Sequence, residues 1–547
     1  MYASREAETF LKDLEHPEEV GLRYLLERVI QPNAETDFGR RHDFSQLRAY
    51  ADYRAAVPIR NYEGFRADCD RIVAGDSNVL TAEPVKRFFM TSGSSNKPKL
   101  IPVTNNFVRE KSRAFGIYWS LVFADHPGVK SGRMVTNFSD AGEAKPADQS
   151  GLPISSESAY WASVTAATQR KDPLIPKVVA RIKDHRARYY AIARILLEEP
   201  FAAIMALNPS TLLVLFETLQ NEQERLIADV RRGGVSAELP IGPEAVTLIA
   251  DRYRGNPARA DALEAAAKER AFVASRIFPG LELAVSWRSP MLSPYLQLLA
   301  GHLGGVGARD YLLMASEGVM AVPIKDGESG GALGVGIHFY ELIPHEAYGQ
   351  ADPPTILPHQ AELGREYVVV LSNTTGLYRY DIGDVVRVTG FVGPTPKIEF
   401  LHRAGNTSSL TGEKLTEAQV TAAVSKLANK LGLELESFTL VPELGGGLPH
   451  YVLLAEPRSD APDRVWRQLQ AGLDGALAAE NSEYPSKRSS HRLGPPTVAK
   501  VAPGSYAARK ARRVAEGAAE LQVKPVHLSR DAKIAGELTI LETFDAG

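Results

Sequence analysis

The sequence is almost free of cysteine, since Cys69 is the only one among 547 residues. A single cysteine cannot form an internal disulfide, a Cys-x-x-Cys metal site or a redox pair. Such low usage suits a reducing compartment. The neighbouring carboxylates of Asp68 and Asp70 disfavour a thiolate. We therefore predict that Cys69 is structural and is not a nucleophile.

The sequence also lacks a long apolar run and an excess of one charge. Its longest apolar stretch, residues 201–219, is interrupted by Asn208-Pro209-Ser210 and is too short for a membrane-spanning helix. The acidic first twenty residues lack the apolar region of a signal peptide. Lys and Arg number 63 against 66 Asp and Glu, whereas a protein that binds a phosphate backbone usually carries a basic excess. We expect a cytoplasmic protein whose partners are neither nucleic acid nor membrane.

Glycine and proline are too scarce for a low-complexity chain. Their 44 and 35 copies lie well below the share of about 25–30% at which disorder becomes the default. Local patterns predict a mixed α/β fold instead. Asn208-Pro209-Ser210 starts an apolar helix, and the Ala-rich residues 261–278 predict a solvated helix. The apolar run 366–372 predicts a buried strand, and two more strands are predicted over 384–391 and 397–401.

The chain changes character near residue 403. The segment from Arg403 to Ser409 is small and polar, which suits a hinge. Beyond it, apolar spacing predicts the element order α-β-β-α-β of a separate α+β domain. We therefore expect two domains, residues 1–403 and residues 404–547.

The first chemical motif is a loop rich in hydroxyls, Thr91-Ser92-Gly93-Ser94-Ser95-Asn96-Lys97-Pro98-Lys99. Hydroxyls and backbone N–H groups can surround anionic oxygens while lysine neutralises their charge, so the loop suits a polyphosphate. It is not a Walker loop, because the Gly-x₄-Gly-Lys-Ser/Thr spacing is absent. Taken alone, a polar turn after a strand remains the alternative.

Two later turns each carry a carboxylate. Glu317, in Met314-Ala315-Ser316-Glu317-Gly318, suits Mg²⁺, which prefers one or two carboxylates together with phosphate oxygens. Asp384 ends Tyr378-Arg379-Tyr380-Asp381-Ile382-Gly383-Asp384, where Gly383 permits a tight turn before a strand. At that strand edge its oxygens could accept both hydroxyls of a ribose. An exposed turn glutamate and an Asp-containing turn remain the alternatives.

In this order, and followed by Arg403 before a hinge, the motifs resemble the acyl-adenylate-forming superfamily. That superfamily includes acyl-CoA synthetases, luciferases and nonribosomal adenylation domains. The finer resemblance is to the auxin-responsive acyl-acid amido synthetases, the Gretchen Hagen 3 family. It runs from about residue 36 to about residue 530 and includes Thr36–Gly39, Pro58–Tyr62, Phe339–Pro344, Glu480–Tyr484 and Gln522–Pro525.

The resemblance implies a fold and a reaction. The fold has a large N-terminal domain of mixed β-sheets flanked by helices, and a small mobile α+β C-terminal domain. The reaction uses ATP and Mg²⁺ to activate a small carboxylic acid as an acyl-adenylate, with release of pyrophosphate. The amine of an amino acid then takes the acyl group and AMP is released.

The resemblance also implies roles for individual residues. Lys99 and Lys524 would stabilise the charge that develops at the α-phosphate, and Glu317 would face Mg²⁺. Asp384, helped by Arg403, would hold the ribose. The other ATP-binding positions that it implies are Thr91, Ser92, Gly93, Ser94, Ser95 and Ser316.

The sequence departs from the family pattern at two points. The phosphate loop is one residue shorter than the usual plant form and has Asn96 where Gly is common. Leu313 stands where a Tyr normally leads the second motif. This leucine removes the expected aromatic contact with adenine, unless Tyr311 replaces it.

Several aromatic residues are candidates for an acyl pocket, although each type is more often found in a core. They are Trp119, Phe138, Tyr160, Trp161, Trp287 and Tyr295. Two other functions stay open at this point. An acyl-CoA synthetase would share the first half-reaction, and a nucleotide-binding protein could keep the fold without turnover.

Overall fold

The computed structural model describes residues 2–91, 99–136, 138, 145–146, 151–168, 173–236, 238–404, 407–445, 448–515 and 526–545. These residues form two compact units, one that ends at His402 and one that begins at Arg403. Among the described helices, none combines the length and the apolar character that crossing a membrane requires.

The first unit contains the longer series of helices. They are α1 (Tyr2–Asp13), α2 (Pro17–Tyr24), α3 (Asp37–Arg41), α4 (Tyr50–Ala56), α5 (Arg66–Val73), α6 (Asn105–Asp125), α7 (Pro127–Ser131), α8 (Glu157–Thr168), α9 (Lys177–Ala180), α10 (His185–Leu196), α11 (Pro209–Asn221), α12 (Gln223–Arg232), α13 (Pro243–Arg252), α14 (Pro257–Lys268), α15 (Ala274–Ile277) and α16 (Ser293–Leu303). Shorter helical turns lie at Leu25–Ile30, Gln31–Asn33, Phe44–Gln46, Tyr62–Gly64, Pro290–Leu292, His345–Ala347 and Pro358–Gln360.

The strands of the first unit build three sheets. They are β1 (Arg87–Thr91), β2 (Lys99–Val103), β3 (Met134–Val135), β4 (Lys145–Pro146), β5 (Pro153–Ser155), β6 (Ala203–Met205), β7 (Leu283–Val285), β8 (Gly307–Arg309), β9 (Leu313–Ala315), β10 (Gly318–Val322), β11 (Gly331–Leu333), β12 (Phe339–Pro344), β13 (Glu366–Ser372), β14 (Tyr380–Val392) and β15 (Thr395–Arg403).

The three sheets differ in their strand directions. A four-stranded sheet has the order β2-β1-β5-β4, and a seven-stranded sheet has the order β12-β13-β14-β15-β11-β10-β9. The third sheet, β3-β6-β7-β8, is parallel throughout. Parallel strands need crossover connections, which explains why helices α8 to α16 lie between these strands in the chain. This arrangement is the mixed α/β fold that the sequence predicts.

The second unit is a smaller α+β structure. Its helices are α17 (Glu417–Leu431), α18 (Asp463–Glu480), α19 (Tyr484–Ser489) and α20 (Ser505–Ala515), with a helical turn at Ala532–Glu537. Its strands are β16 (Thr407–Ser408), β17 (Leu415–Thr416), β18 (Leu435–Glu443), β19 (His450–Pro457), β20 (Thr497–Val501) and β21 (Ile540–Phe544). The apolar faces of α17 and α18 pack with β18, β19 and β20 in one core.

Most predicted elements form where the sequence places them. Asn208 caps α11 by accepting a hydrogen bond from the Ser210 backbone N–H over 2.9 Å, and Pro209 occupies the first turn. The strand predicted over 366–372 is β13, which lies between β12 and β14 in its sheet and is buried from Tyr367 onward. The order α-β-β-α-β recurs as α17, β18, β19, α18 and β20.

The single helix predicted over 261–278 is wrong. The chain forms α14 and then, after a break, the short α15. Arg270 has a left-handed φ of 54°, and the Ala271 N–H bonds back to the Ala266 carbonyl over 2.9 Å. That pattern closes a helix end, and it usually requires a glycine that this segment lacks.

Candidate active site

The three predicted motifs meet at three side chains of the first unit. The β1–β2 pairing sets Thr91 directly opposite Lys99, at the end of the hairpin from which the hydroxyl-rich loop departs. Glu317 lies in the turn between β9 and β10, whose strands pair from Ala315 and Gly318 onward. Tyr380 is the first residue of β14. Three segments far apart in the sequence therefore supply one cluster.

Short distances join this cluster. The Tyr380 hydroxyl donates to Glu317 Oε1 over 3.1 Å, and Lys99 Nζ lies 3.4 Å from the same hydroxyl. Lys99 Nζ is 3.8 Å from Glu317 Oε1, with side chains only 11% and 4% exposed. Because a buried charge is costly unless it is paired, the lysine and the glutamate stabilise one another in their charged forms.

Neighbouring residues hold this cluster in place. Asn373, which is fully buried, donates from Nδ2 to the Glu317 carbonyl over 2.7 Å. The Tyr62 ring lies below the Lys99 ammonium, 5.7 Å from Nζ to the ring centre. The Tyr62 hydroxyl also accepts from the Leu100 N–H over 2.8 Å, which ties the start of β2 to the Pro58–Tyr62 segment.

Tyr380 is the member of the cluster for which the sequence predicts no role. It lies in the same motif as Gly383 and Asp384, but nothing in the local pattern links it to Glu317. Only the pairing of β14 within the seven-stranded sheet brings its hydroxyl to the carboxylate.

Asp384 lies inside a strand, which corrects the prediction that it sits at the edge of one after a tight turn at Gly383. It is the fifth residue of the long β14 and is 5% exposed. Opposite it, Val368 pairs with Val385 and Val370 pairs with Asp381, so β14 bulges by two residues at this point. Gly383 has a φ of 72°, which an L side chain rarely adopts, and the bulge depends on it.

Among the described residues, the other predicted nucleotide-binding positions are not members of this cluster. Ser92, Gly93, Ser94, Ser95 and Lys524 lie outside the described residues. Thr91 and Ser316 are both half-buried. Thr91 lies opposite Lys99 in the β1–β2 pairing, and Ser316 directly precedes Glu317. Arg403 belongs to the second unit, where its carbonyl accepts a hydrogen bond from Arg530 over 2.5 Å.

The aromatic candidates for an acyl pocket divide between two cores of the first unit. Trp119, Tyr160 and Trp287 are partly buried against the core that also contains Phe89 and Tyr311. Tyr160 lies 5.5 Å from Phe89 between ring centres. Phe138 packs instead in the second core, 6.4 Å from the Tyr189 ring.

Asp310 is another buried carboxyl group, to which no motif in the sequence points. It follows β8 and accepts backbone N–H groups of Gly330, Tyr311 and Arg288 at 2.6, 2.8 and 3.0 Å. Burial nevertheless raises the pKa of Asp310 to about 7, against an ordinary value of 3.8. Cys69 is fully buried, and burial raises the pKa of its thiol to about 12, in agreement with a structural role.

The chemistry of Glu317 is compatible with Mg²⁺. The described residues contain no group of three or more His, Cys, Asp or Glu side chains that could enclose a metal ion. A single buried carboxylate fits an ion that takes most of its ligands from phosphate oxygens and water. Glu317 is therefore the residue that could hold Mg²⁺ here.

Family models match nearly the whole chain. The GH3 family N-terminal domain matches residues 6–307, the GH3 family central domain matches residues 332–403, and the GH3 family C-terminal domain matches residues 418–533.

Curated relatives are similar over most of their length. A probable indole-3-acetic acid-amido synthetase GH3.1 of Oryza sativa subsp. japonica is 25% identical, over 94% of this chain and 89% of the relative. A jasmonoyl–L-amino acid synthetase JAR6 of Nicotiana attenuata is 23% identical, over 86% of this chain and 84% of the relative.

Two solved structures share the fold. The AtGH3.15 acyl acid amido synthetase in complex with 2,4-DB has a TM-score of 0.63 at 21% identity, covering 99% of this chain and 97% of that one. A 2-hydroxyisobutyryl-CoA ligase has a TM-score of 0.52 at 13% identity, covering 97% and 91%. Both likenesses support the predicted fold of a large N-terminal and a smaller C-terminal domain.

Proposed function

The chain belongs to the GH3 family, and from this premise we propose that it is an ATP-dependent acid–amino acid ligase. It activates a small carboxylic acid as an acyl-adenylate and passes the acyl group to the amine of an amino acid. The observation that carries the proposal is the meeting of Lys99, Glu317 and Tyr380. A cation, an anion and a phenol from three separate motifs form one buried cluster, and its cation, Lys99, is the last residue of the predicted phosphate motif.

The first step forms a mixed anhydride. A carboxylate oxygen of the acid attacks the α-phosphorus of ATP, and the bond from that phosphorus to the pyrophosphate oxygen breaks. Negative charge grows on the phosphoryl oxygens, and a preorganised cation lowers the barrier to its formation. Lys99 supplies this cation from the first unit, because its ammonium is held beside Glu317 and Tyr380 before any substrate binds.

The second step transfers the acyl group. The amine nitrogen attacks the activated carbonyl carbon, the bond from that carbon to the AMP oxygen breaks, and the nitrogen loses a proton. No protein side chain becomes covalently attached. A nucleophilic Cys is therefore not required, which agrees with the buried and inert Cys69.

The remaining site residues extend the nucleotide site. We assign Thr91, Ser92, Gly93, Ser94 and Ser95 to the phosphates, and Ser316 to the nucleotide beside Glu317. Asp384, with Arg403, is assigned to the ribose, and Lys524 to the α-phosphate during the first step. Glu317 would hold Mg²⁺. When bound, the positive charge of this ion would offset the negative charge of the phosphates.

The acid and its pocket are a further part of the proposal. Trp119, Tyr160 and Trp287 share one core with Leu313 and Met314, which lead into the Glu317 turn. An apolar acid bound near these rings would lie close to the turn that carries the carboxylate. The single cysteine supports a cytoplasmic location for the reaction.

Isotope exchange between ATP and pyrophosphate tests this proposal. The full chain is incubated with ATP, Mg²⁺, labelled pyrophosphate and a pool of small carboxylic acids, with EDTA and acid-free samples as controls. We expect exchange that needs both an acid and Mg²⁺. Exchange without any acid, or none with a broad pool, would contradict adenylation of a carboxylate and would favour a nucleotide-binding protein without turnover.

A further inference from the structure

Two adjacent charged residues of α6 lie inside the core of the first unit. Glu110 is 8% exposed and Lys111 is fully buried, in the second turn of a helix whose inward face is otherwise apolar or aromatic. A buried charge costs several kcal/mol unless it is well paired, and apolar side chains of similar volume often serve stability better. These two charges therefore call for a role beyond filling the core.

Lys111 has two short hydrogen bonds. Its Nζ donates to Glu157 Oε1 over 2.5 Å and to the Ala315 carbonyl over 2.6 Å. Trp161 Nε1 also donates to Glu157 Oε1, over 3.0 Å, which fixes the carboxylate on α8. Burial lowers the pKa of Lys111 below its ordinary value, and the charges of Glu157 and Glu317 offset this only in part.

The Ala315 carbonyl lies at the start of the Glu317 turn. Ala315 is the last residue of β9, and only Ser316 separates it from Glu317. Fixing this carbonyl limits the rotation of the following two peptide units. The contact uses one of the three N–H donors of the buried ammonium, so the lysine bonds the carboxylate and the turn at the same time.

Glu110 holds the other flank of the same turn. Its Oε2 accepts from Thr374 Oγ1 over 2.9 Å, and its Oε1 accepts from the Tyr24 hydroxyl over 2.8 Å. Thr374 follows Asn373, whose side chain bonds the Glu317 carbonyl. One turn of α6 thus fixes the backbone both before Ser316 and, through Asn373 and Thr374, after it.

We propose that Lys111 is a positioning residue for the nucleotide site, which fixes the Ser316-Glu317 turn through the Ala315 carbonyl and so aims the Glu317 carboxylate at a bound cation. This inference rests on the proposed function, because it takes Glu317 as the Mg²⁺ ligand. Groups that orient a metal ligand without touching the metal commonly change metal affinity by about 10- to 100-fold. Lys111 acts in the same way on a ligand two residues from its contact.

Calorimetric titration of the full chain with ATP tests this role, in Mg²⁺ and again in EDTA. Lys111→Met removes both hydrogen bonds but leaves Glu157 buried without its partner. The double variant Lys111→Met/Glu157→Gln removes that second cost, since the glutamine is neutral and its amide oxygen can still accept from Trp161. Lys397→Met is the matched control, because Lys397 pairs with Glu328 at 3.0 Å and is similarly part of a lysine–glutamate pair in the first unit.

We expect Lys111→Met to lose thermal stability and to lose about tenfold of the affinity for ATP in Mg²⁺, with a much smaller loss in EDTA. The double variant should regain most of the stability and keep the Mg²⁺-dependent loss. Lys397→Met should bind ATP as the parent does.

Three results would overturn the proposal. They are recovery of both the thermal stability and the Mg²⁺-dependent ATP affinity in the double variant, an equal loss of ATP affinity with and without Mg²⁺, and an unchanged ATP affinity in Lys111→Met. Failure of the proposed function would look different, because the parent would then show no acid-dependent pyrophosphate exchange while the calorimetric comparison stayed readable.

Discussion

At the scale of single residues, Asp384 and Asp310 are buried carboxyl groups in contrasting settings. Asp384 stands in a bulge of β14, four positions after Tyr380. The same strand therefore contains Asp384 and one member of the Lys99 cluster. Asp310 accepts three backbone N–H groups at the end of β8, yet burial still raises its pKa. The first setting suits a ligand for hydroxyl groups, and the second suits a carboxyl group that is protonated at mildly acidic pH.

Asp384→Ala should weaken ATP binding by about ten- to a hundredfold, because a hydrogen bond to a charged group contributes roughly 1.5–3 kcal/mol. 2′-Deoxy-ATP, which lacks one of the two hydroxyls, should lose less affinity in the variant than in the parent. Calorimetric titration of both nucleotides measures this difference. The control is Asp381→Asn on the same strand, which retains the acceptor for the Gly383 N–H. An equal penalty for the deoxy nucleotide in both proteins would remove Asp384 from the ribose.

Asp310 should make stability depend on pH. Its folded pKa of about 7 exceeds the ordinary 3.8, so the folded state holds a proton that the unfolded chain releases first. The contribution is therefore full below about pH 4 and is lost as the pH rises to about 7, at about 1.4 kcal/mol per pKa unit. Asp310→Asn cannot titrate.

Urea unfolding from pH 4.5 to 7.5 measures this effect. The free energy of unfolding of the parent, relative to that of Asp310→Asn, should fall by a few kcal/mol over this range. A constant difference between the two proteins would show that Asp310 keeps an ordinary pKa.

At the scale of elements, one buried ion pair joins β12 to the segment before β14. Arg379 donates from Nη2 to Glu341 Oε1 over 2.8 Å and from Nε to Glu341 Oε2 over 2.9 Å, with side chains 2% and 0% exposed. Arg379 Nη1 also donates to the Val57 carbonyl over 2.8 Å, and its φ of 45° is left-handed. This strained residue directly precedes Tyr380, so the pair sets where the Tyr380 hydroxyl lies.

Glu341→Gln should lower the free energy of unfolding by about 3–5 kcal/mol, because it leaves the Arg379 charge buried without an anion. The control is Glu362→Gln, whose partner Arg365 forms an exposed pair with side chains 38% and 67% exposed. The control should change stability by no more than about 1 kcal/mol. Similar losses in the two variants, measured by urea unfolding, would mean that the buried pair contributes no more than a surface pair.

Elements with a strong local signal could be predicted from the sequence. The apolar run of β13 and the cap of α11 needed no tertiary information. The strand β21 was not predicted, because four of its five residues are exposed and it forms by pairing with β20 at a sheet edge. The break after α14 was not predicted either, because arginine rarely adopts the left-handed conformation that Arg270 has.

The candidate site could be predicted in part for the same reason. Lys99, Glu317 and Asp384 lie in motifs that can be recognised from neighbouring residues in the sequence alone. Tyr380 and Lys111 act through partners 63 and 204 residues away, and the sequence gives no sign of these contacts. The bulge that places Asp384 inside β14 likewise depends on register with β13.

At the scale of the whole molecule, the two compact units divide the chain near a small polar segment. The larger unit contains the Lys99 cluster, and the smaller one begins at Arg403 and would carry Lys524. A two-step reaction can use the second unit in one step only. We therefore assign Lys524 to adenylation and not to acyl transfer.

Lys524→Ala should reduce pyrophosphate exchange by about 10²–10³, as is typical when one preorganised charge is removed from a transition state. Transfer from a supplied acyl-adenylate to the amine should remain largely intact. Lys533→Ala, which changes an exposed lysine of the same unit, is the control for both half-reactions. Equal losses in the two half-reactions would indicate damaged folding or a shared role, and no loss in either would show that Lys524 takes part in neither step.

The acceptor of the acyl group decides the central claim. The full chain is incubated with ATP, Mg²⁺, a pool of small carboxylic acids, ¹⁵N-labelled amino acids and CoA together, and the products are identified by mass spectrometry. We predict an N-acyl amino acid that carries the label, with AMP and pyrophosphate formed in equal amounts. An acyl-CoA as the product, or ADP and phosphate in place of AMP and pyrophosphate, would contradict an acid–amino acid ligase that works through an acyl-adenylate.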